Sequence, residues 1–185
     1  KELDVALLMV NQPKLLLVKD LEVKPPDSSK SPKNLYQLIS KVFKSVVVDE
    51  IKSVDGKVMY KRVKGPKSTT ISVNNFTILL DEVLVDSLSD VDTTRFFYAK
   101  NIRVQVDNYS YSTPNGRYDL KIGQFNLSTK DSSILLQNVA MVPRYGKLEF
   151  ARKVGEQIDR FNIKTDSVMI KGVHLKTLLF DERII

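Results

Sequence analysis

The stretch LKIGQFNL (residues 120–127), followed by ILLQNVAM (residues 134–141), decides the fold of this chain. In both octets the apolar residues stand at the first, third, sixth and eighth positions, and the middle pair is polar or contains glycine. Side chains of a flat strand alternate between its two faces, so a spacing of three would turn the second half of each octet to the other face. One extra residue at the middle pair, as in a β-bulge, keeps all four apolar side chains on one face.

The same spacing recurs along the chain. Further octets begin at Leu16, Ile71, Ile78, Phe97 and Val168. A bulge bends and twists its strand, so a series of bulged strands predicts a strongly curved sheet. We expect the apolar positions of the octets to share one face, with bulges near residues 19–20, 100–101 and 137–138.

The predicted fold class is mainly β with a minor helical part. We expect a curved, twisted antiparallel sheet with β-bulges and one or two short helices packed on its apolar face. Residues 147–159 lose the strand alternation and form either a short helix or a crossing loop. Asn34 is suited to cap another helix over residues 35–44. The apolar residues of that helix stand at helical spacing: Leu35, Leu38, Ile39, Val42 and Phe43.

Turn signals divide the rest of the chain into strands, which we expect to pair as an antiparallel meander. Asn11-Gln12-Pro13 separates two N-terminal strands, and Asp55-Gly56 is typical of a tight hairpin turn, because glycine accepts a positive φ. Residues 25–34, rich in proline, serine and lysine, form an expected internal loop. Turns are expected at residues 113–116 and 130–131, between strands over residues 69–86, 95–106, 117–128, 133–142 and 161–173.

Length and composition describe a single β-rich domain over residues 1–185. Hydrophobic residues make up 42% of the chain and charged residues 28%, which is ordinary for a globular protein. No run approaches the roughly 18 apolar residues of a membrane-spanning helix. The strand pattern begins almost at Lys1, which favours an excised piece of a longer protein over a processed chain and leaves room for an anchor or signal outside this sequence.

The residue types of common catalytic and metal sites are scarce. The chain has no cysteine, which excludes disulfides, thiolate metal sites and cysteine nucleophiles, and weakly favours an oxidising compartment such as the periplasm. His174 is the single histidine, and its place between two apolar residues predicts a surface position. The sequence contains no phosphate loop, nucleotide motif or acid–base pair. We therefore expect no enzyme activity, no catalytic residues, no metal site and no cofactor.

The chain is basic, with a net charge of +7 from 29 Lys and Arg against 22 Asp and Glu. Such an excess attracts nucleic acid or anionic lipid surfaces, but lysines also line the solvated faces of strands. The aromatic residues between positions 96 and 145 suit either base stacking or cross-strand packing, and packing is favoured. The bases are densest at residues 57–67, where the candidate basic rim consists of Lys57, Lys61, Arg62 and Lys64.

Several segments resemble the AsmA-like family of bacterial envelope proteins. Residues 35–60 contain an amphipathic helix pattern, a strand and the segment IKSVDGKVMY (residues 51–60), similar to the helix, Asp-Gly and strand units of that family. Four later segments resemble its Bacteroidetes branch: RFFYAKNIRV (95–104), FARKVGEQIDR (150–160), FNI (161–163) and IKGV (170–173). The resemblance covers most of residues 35–185.

The resemblance implies a non-catalytic, periplasmic module of the cell envelope that is membrane-anchored through segments absent from this chain. Larger relatives, related to TamB and to bridge-like lipid carriers, curl long β-sheets into an apolar groove for acyl chains. Lipid transport or outer-membrane biogenesis is the implied function, and a lipid or other amphiphile is the implied ligand. The implied partners are other parts of the parent chain or envelope proteins, and no nucleic acid is expected. The candidate groove residues are Ile71, Val73, Phe76, Ile78, Ile102, Val104, Ile122, Phe125 and Leu127.

Two alternatives stay open from the residues themselves. The first is a structural or protein-interaction β-module whose core is closed by its own helix and which takes no ligand. The second is a basic nucleic-acid-binding β-domain. Saturable uptake of lipid without oligonucleotide binding would separate the envelope module from both alternatives.

Overall fold

The computed structural model of the protein describes residues 1–23, 34–89, 91–155 and 159–173. Of these residues, 64% lie in strands and 8% in helices, which confirms the mainly β fold class. The expected loop at residues 25–34 falls, apart from Asn34, outside the described residues, and so does His174.

Within the described ranges, eight strands form one open sheet with the order β1-β3-β4-β5-β6-β7-β8, and β2 also pairs with β3. From β3 onwards, consecutive strands are antiparallel neighbours, as expected of a meander. The turns at residues 113–116 and 130–131 are confirmed. The elements are β1 (Glu2–Asn11), β2 (Lys14–Asp20), α1 (Leu35–Ile39), β3 (Ser45–Lys64), β4 (Lys67–Val85), β5 (Asn101–Ser112), β6 (Tyr118–Ser128), β7 (Ser133–Pro143), α2 (Lys147–Val154) and β8 (Ile163–Lys171).

The N-terminal strands depart from the expected meander. β1 and β2 lie one after the other along the same edge of β3, and both run parallel to it. Gln12 takes a positive φ of 51° between them. Its N–H donates to the Val54 carbonyl at 2.8 Å, and Lys57 N–H donates to the Pro13 carbonyl at 2.8 Å. The prediction of antiparallel pairing was wrong here, because Asn11-Gln12-Pro13 bends the edge strand without reversing it.

Asp55-Gly56 forms a β-bulge inside β3, so the hairpin predicted at this pair was wrong. The β3–β4 hairpin turns instead at Gly65-Pro66. Asp55 itself takes the positive φ, 53°. Gly56 lies under the ring of its cross-strand partner Phe76, since a Cβ at Gly56 would fall 2.2 Å from Phe76 Cζ. The absence of a side chain at Gly56 allows the Phe76 ring to lie directly against the backbone.

Residues with positive φ interrupt most of the long strands, and most of these residues are Asn or Asp. They are Asp55 in β3, Asn75 and Glu82 in β4, Asn108 in β5 and Asn138 in β7. The β6–β7 ladder pairs Ile122 with Val139 and Gln124 with Gln137, so it skips one residue on each strand without losing register. At residues 137–138 β7 is interrupted where a bulge was predicted, but neither strand gains an extra residue there, so the irregularity at Asn138 is a positive φ without a bulge. The bulges predicted at 19–20 and 100–101 were wrong, because the first lies in a regular ladder and the second follows a turn.

These interruptions place most of the octets on a single side of the sheet, which we call the apolar face. Cross-strand partners share a face, and the pairs link Phe76 to Val106, Val106 to Phe125 and Phe125 to Leu136. The octets that begin at residues 71, 78, 120 and 134 therefore lie on the apolar face. The octet at Leu16 does not, since β2 has no bulge and Leu16 lies on the opposite side, the polar face.

A small core lies where α1 meets the sheet. Val48, Val83, Val85, Ala99 and Ile102 are buried there, and Tyr36 and Ile39 of α1 pack against them. The predicted Asn34 cap is confirmed, because its Oδ1 accepts from Gln37 N–H at 2.7 Å. The helix ends at Ile39, five residues earlier than predicted, since Lys44 N–H already bonds the Lys1 carbonyl at the entrance to β3. Leu38 and Val42 consequently stay exposed.

The predicted strand over residues 95–106 begins only at Asn101. The chain before it turns at Phe97 and Tyr98, both with positive φ, and Phe96 bonds Ala99 through two backbone hydrogen bonds. Because of this turn Ala99 reaches the core, whereas the Phe97 side chain stays exposed. The octet that begins at Phe97 therefore crosses a turn and does not follow one strand.

The bulge at Asn75 gives a test of the backbone alone, because its side chain is exposed. We expect Asn75→Val to lower the free energy of unfolding by about 1–2 kcal/mol, since a β-branched residue is strained at a φ of 54°. Asn75→Gly should cost little. Urea unfolding measures both, and Asn74→Val is the matched exposed control; equal effects at positions 74 and 75 would contradict the strain.

Candidate functional site

The nine candidate groove residues all lie on the apolar face. Ile78 pairs with Val104 and Val104 with Leu127, while Leu80 pairs with Ile102. Phe125 and Ile122 lie on β6 on either side of its interrupted position, Gly123. Ile71 and Val73 extend the set along β4, before its bulge. The structure therefore brings together, on one surface, all the residues that the sequence pattern selected.

The two helices cover separate parts of this face. α1 and the turn at residues 96–99 cover the core at one end of β3, β4 and β5. At the opposite end of the strands, Phe150 of α2 is only 2% exposed, and its ring centroid lies 5.5 Å from that of Tyr118. The apolar residues between the two covers are partly exposed: Val104, Val106, Ile122, Phe125, Leu136 and Val139.

Within the part of the chain that the structure describes, the exposure of hydrophobic side chains indicates that the apolar face is not closed. Only seven hydrophobic residues are buried in the part of the chain that the structure describes. The face is most open at its margins, as at Leu8, Leu15, Leu17, Ile163 and Ile170.

The sheet divides between β4 and β5. Their ladder ends at the pair Phe76–Val106, although β4 extends back to Lys67 and β5 continues to Ser112. The positive φ of Asn75 and of Asn108 falls just beyond the last pair on each strand. Beyond this point, among the described residues, β4 pairs with β3 alone and β3 with β2. These three segments form a ribbon that ends at Gly65-Pro66.

The four candidate rim residues are divided between the two faces of this ribbon. Arg62 and Lys64 lie on the apolar face, because they stand two and four residues after Tyr60, which is the partner of Ile71 on that face. Lys57 and Lys61 lie on the polar face. Lys19 pairs with Arg62, and Lys67, the last base of the dense run, pairs with Lys64, so two cations outside the candidate rim lie beside Arg62 and Lys64 on the apolar face. The ladder register, which no single-strand pattern reveals, was needed to find them.

The polar face carries a hydrogen-bonded network of side chains. Asp81 accepts from Arg103 at 3.1 Å through each carboxylate oxygen and from Asn101 at 2.8 Å. Gln105 and Gln124 both donate to Asp107. A shallow pocket of about 330 Å³ lies mostly on this face, lined by Leu79, Arg103, Asn126, Leu135, Met169 and neighbouring residues. These contacts hold neighbouring strands together and contain no pairing of a nucleophile with a base.

The carboxyl of Asp92, in the turn between β4 and β5, has a lowered pKa. The Thr94 hydroxyl and backbone N–H donate to Asp92 at 2.6 and 2.8 Å, and Arg95 lies 3.1 Å away. These hydrogen bonds first, and the arginine charge after them, lower the pKa of Asp92 below its ordinary value. The carboxylate thus fixes the turn that precedes Ala99.

The aromatic residues are used for packing and capping. The rings of Phe96 and Phe97 meet edge to face at 4.7 Å, and Lys153 lies 4.0 Å from the centre of the Tyr145 ring. Tyr98 accepts at its hydroxyl from the Leu35 N–H at 3.3 Å. These contacts are consistent with the packing role that the sequence favoured over base stacking.

Within residues 1–23, 34–89, 91–155 and 159–173, no group of three or more His, Cys, Asp or Glu residues is placed to hold a metal ion. Of the helices described, none has the length and apolar character needed to cross a membrane. No family model matches the chain, and it matches no curated protein and no solved structure. The open apolar face of a curved sheet is thus the feature from which a function must be argued.

Proposed function

We propose that the chain is a non-catalytic module of an AsmA-like envelope protein and that its apolar face receives the acyl chains of a lipid. On this proposal the module works in the periplasm, in lipid transport or outer-membrane biogenesis, and the full-length protein is held at a membrane by other segments. Neighbouring parts of the parent chain or other envelope proteins are its proposed partners.

A single observation carries the proposal. One apolar surface continues from β3 to β8, and the chain's own helices leave its middle partly exposed. An apolar face of this extent on a folded protein marks a binding surface. An acyl chain suits it, because burial of CH₂ groups requires neither directional bonds nor catalytic residues.

The strength of such binding should follow the length of the acyl chain. Each buried CH₂ contributes about 0.8 kcal/mol, so two further carbons should tighten binding of a saturated fatty acid by about tenfold while the face still has room. A series of chain lengths, measured by displacement of a fluorescent fatty acid, tests this dependence. Affinity independent of chain length would exclude burial on the apolar face.

A large side chain in the middle of the apolar face should block the binding of fatty acids. We expect Val139→Trp to weaken fatty-acid binding by about tenfold or more, because the indole occupies space where one or two CH₂ groups would lie. Ala140→Trp is the matched control, since Ala140 is the next residue along β7 and faces the other side between Lys121 and Lys164. Equal affinity in both variants, with unchanged melting, would place the ligand elsewhere.

A protein-interaction role is the second candidate, and the β1–β2 edge favours it. Here apolar residues are exposed on both faces, as in Leu7-Leu8-Met9 and Leu15-Leu16-Leu17. Strands buried on both faces show such continuous apolar runs, and an open edge offers its backbone to another strand. Light scattering over a range of concentrations tests it: a stable oligomer that takes up no lipid would favour this role.

A further inference from the structure

The ribbon that projects beyond the β4–β5 division carries most of the excess charge of the chain. We call residues 14–23 and 57–73 the basic ribbon. It contains seven Lys and Arg against two acids, Asp20 and Glu22, which leaves it five of the chain's net seven positive charges. Most of the net positive charge of the chain is therefore concentrated on one projecting element.

On the apolar face of the ribbon, aliphatic and cationic residues follow one another toward the tip. Leu15, Leu17 and Ile71 come first, and they are 50%, 47% and 39% exposed. Lys19 and Arg62 form the next row, and Lys64 and Lys67 flank the turn. The exposed aliphatic residues are thus directly followed by four cations at the tip.

These four cations are available to a partner. All four side chains are exposed, and among the described residues none has an ion pair or a side-chain hydrogen bond. Glu22 is the acid nearest the turn, where its Oε1 would lie 3.2 Å from a Cβ at Gly65. A single carboxylate does not neutralise four cations, so the tip keeps a net positive charge.

We propose that the tip of the basic ribbon docks on an anionic membrane surface. Lys19, Arg62, Lys64 and Lys67 contact the lipid phosphates, and Leu15, Leu17 and Ile71 rest against the boundary between head groups and acyl chains. Cations next to exposed aliphatic residues are the combination that holds proteins at such a boundary. This docking goes beyond the proposed function and does not require the apolar face to take up lipid.

Chemistry favours a membrane over a nucleic acid as the partner. Single strands bind to platforms of several aromatic side chains between bases. Tyr60 is the only aromatic residue in the basic ribbon, and its cross-strand partners Leu17 and Ile71 are aliphatic. Oligonucleotide binding is accordingly an outcome that counts against the proposal.

Vesicle flotation tests the docking. The protein should float with vesicles of phosphatidylcholine mixed with phosphatidylglycerol and stay behind with phosphatidylcholine alone. Each cation near an anionic surface strengthens binding about fivefold, so the variant K19Q/R62Q/K64Q/K67Q should bind on the order of several hundredfold more weakly. Added salt should weaken the binding of the unchanged protein, because it screens exposed charges.

The control variant K14Q/K57Q/K61Q/K121Q loses the same number of charges from the polar face, and it should keep most of the binding. The proposal would be overturned if both variants lost vesicle binding equally, if the unchanged protein bound neutral vesicles, or if it bound no vesicles. Tighter binding to an oligonucleotide than to the mixed vesicles would also overturn it. Circular dichroism checks that both variants are folded. Val139→Trp, which blocks fatty-acid uptake at the middle of the apolar face, should leave vesicle flotation unchanged, so failure of docking and failure of the lipid-holding function are seen separately.

Discussion

Ile102→Asp should unfold the domain or lower its free energy of unfolding by about 3–5 kcal/mol at neutral pH, because it places a carboxylate in the core without a partner. Ile102 is 7% exposed and packs with Val83, Val85 and Ala99. The core between α1 and the sheet is small, so few other contacts compensate. Thermal and urea unfolding followed by circular dichroism measure the loss.

Ser110→Asp is the control on the same strand. Ser110 is exposed on the polar face opposite Lys121, so a carboxylate there stays in water beside a cation. Its melting temperature should change little. If Ile102→Asp unfolded with the same midpoint as the unchanged protein, the assignment of the apolar face would be wrong at its best-packed point.

Gly56→Val should destabilise the protein by about 3 kcal/mol, because the added side chain meets the Phe76 ring. A Cβ at Gly56 would lie between 2.2 and 2.6 Å from three ring atoms of Phe76, which is buried. Either the ring leaves its site or β3 moves away from β4. Lys57→Val, at the next and exposed position, is the matched control and should be nearly neutral.

A double-mutant cycle shows whether the ring is the cause. Phe76→Ala alone should cost about 3–5 kcal/mol through lost burial. Gly56→Val on that background should cost much less than on the unchanged protein, since the clash has gone. Additive losses would mean that valine at position 56 acts through something other than Phe76.

The fold class and the shared apolar face were predictable because both follow from periodicity. A spacing of three between apolar residues requires an irregularity in each strand, and the structure supplies residues such as Asn75 and Asn138 with positive φ. Asn is the side chain that tolerates this conformation best after glycine. The polar middle pair of the octet is therefore explained by backbone conformation.

The errors arose where one local signal has two structural outcomes. Asp-Gly suits a hairpin turn, but it also suits a bulge where a ring must approach the backbone, as Phe76 approaches Gly56. Asn11-Gln12-Pro13 suits a reversal, but here the edge strand only bends. Contacts with neighbouring strands determine which outcome occurs, and a local sequence pattern does not show those contacts.

The candidate groove was predictable for the same reason as the fold, since its nine residues are octet positions. The cationic tip was predictable only in part. Sequence density selected Lys57 and Lys61 with Arg62 and Lys64, but the two pairs lie on opposite faces. Lys19 and Lys67 join the second pair through ladder register, which depends on contacts between distant segments.

The division of the sheet beyond Phe76–Val106 has a consequence for the way the molecule opens. Fifteen ladder pairs join β3 to β4, and only six join β4 to β5. β4 is thus joined to β5 over only a short part of its length, next to the core that contains Val83, Val85 and Ile102. The ribbon beyond Phe76, which has no β5 neighbour, should therefore open and exchange its amide hydrogens at a lower free energy than the strands around the core.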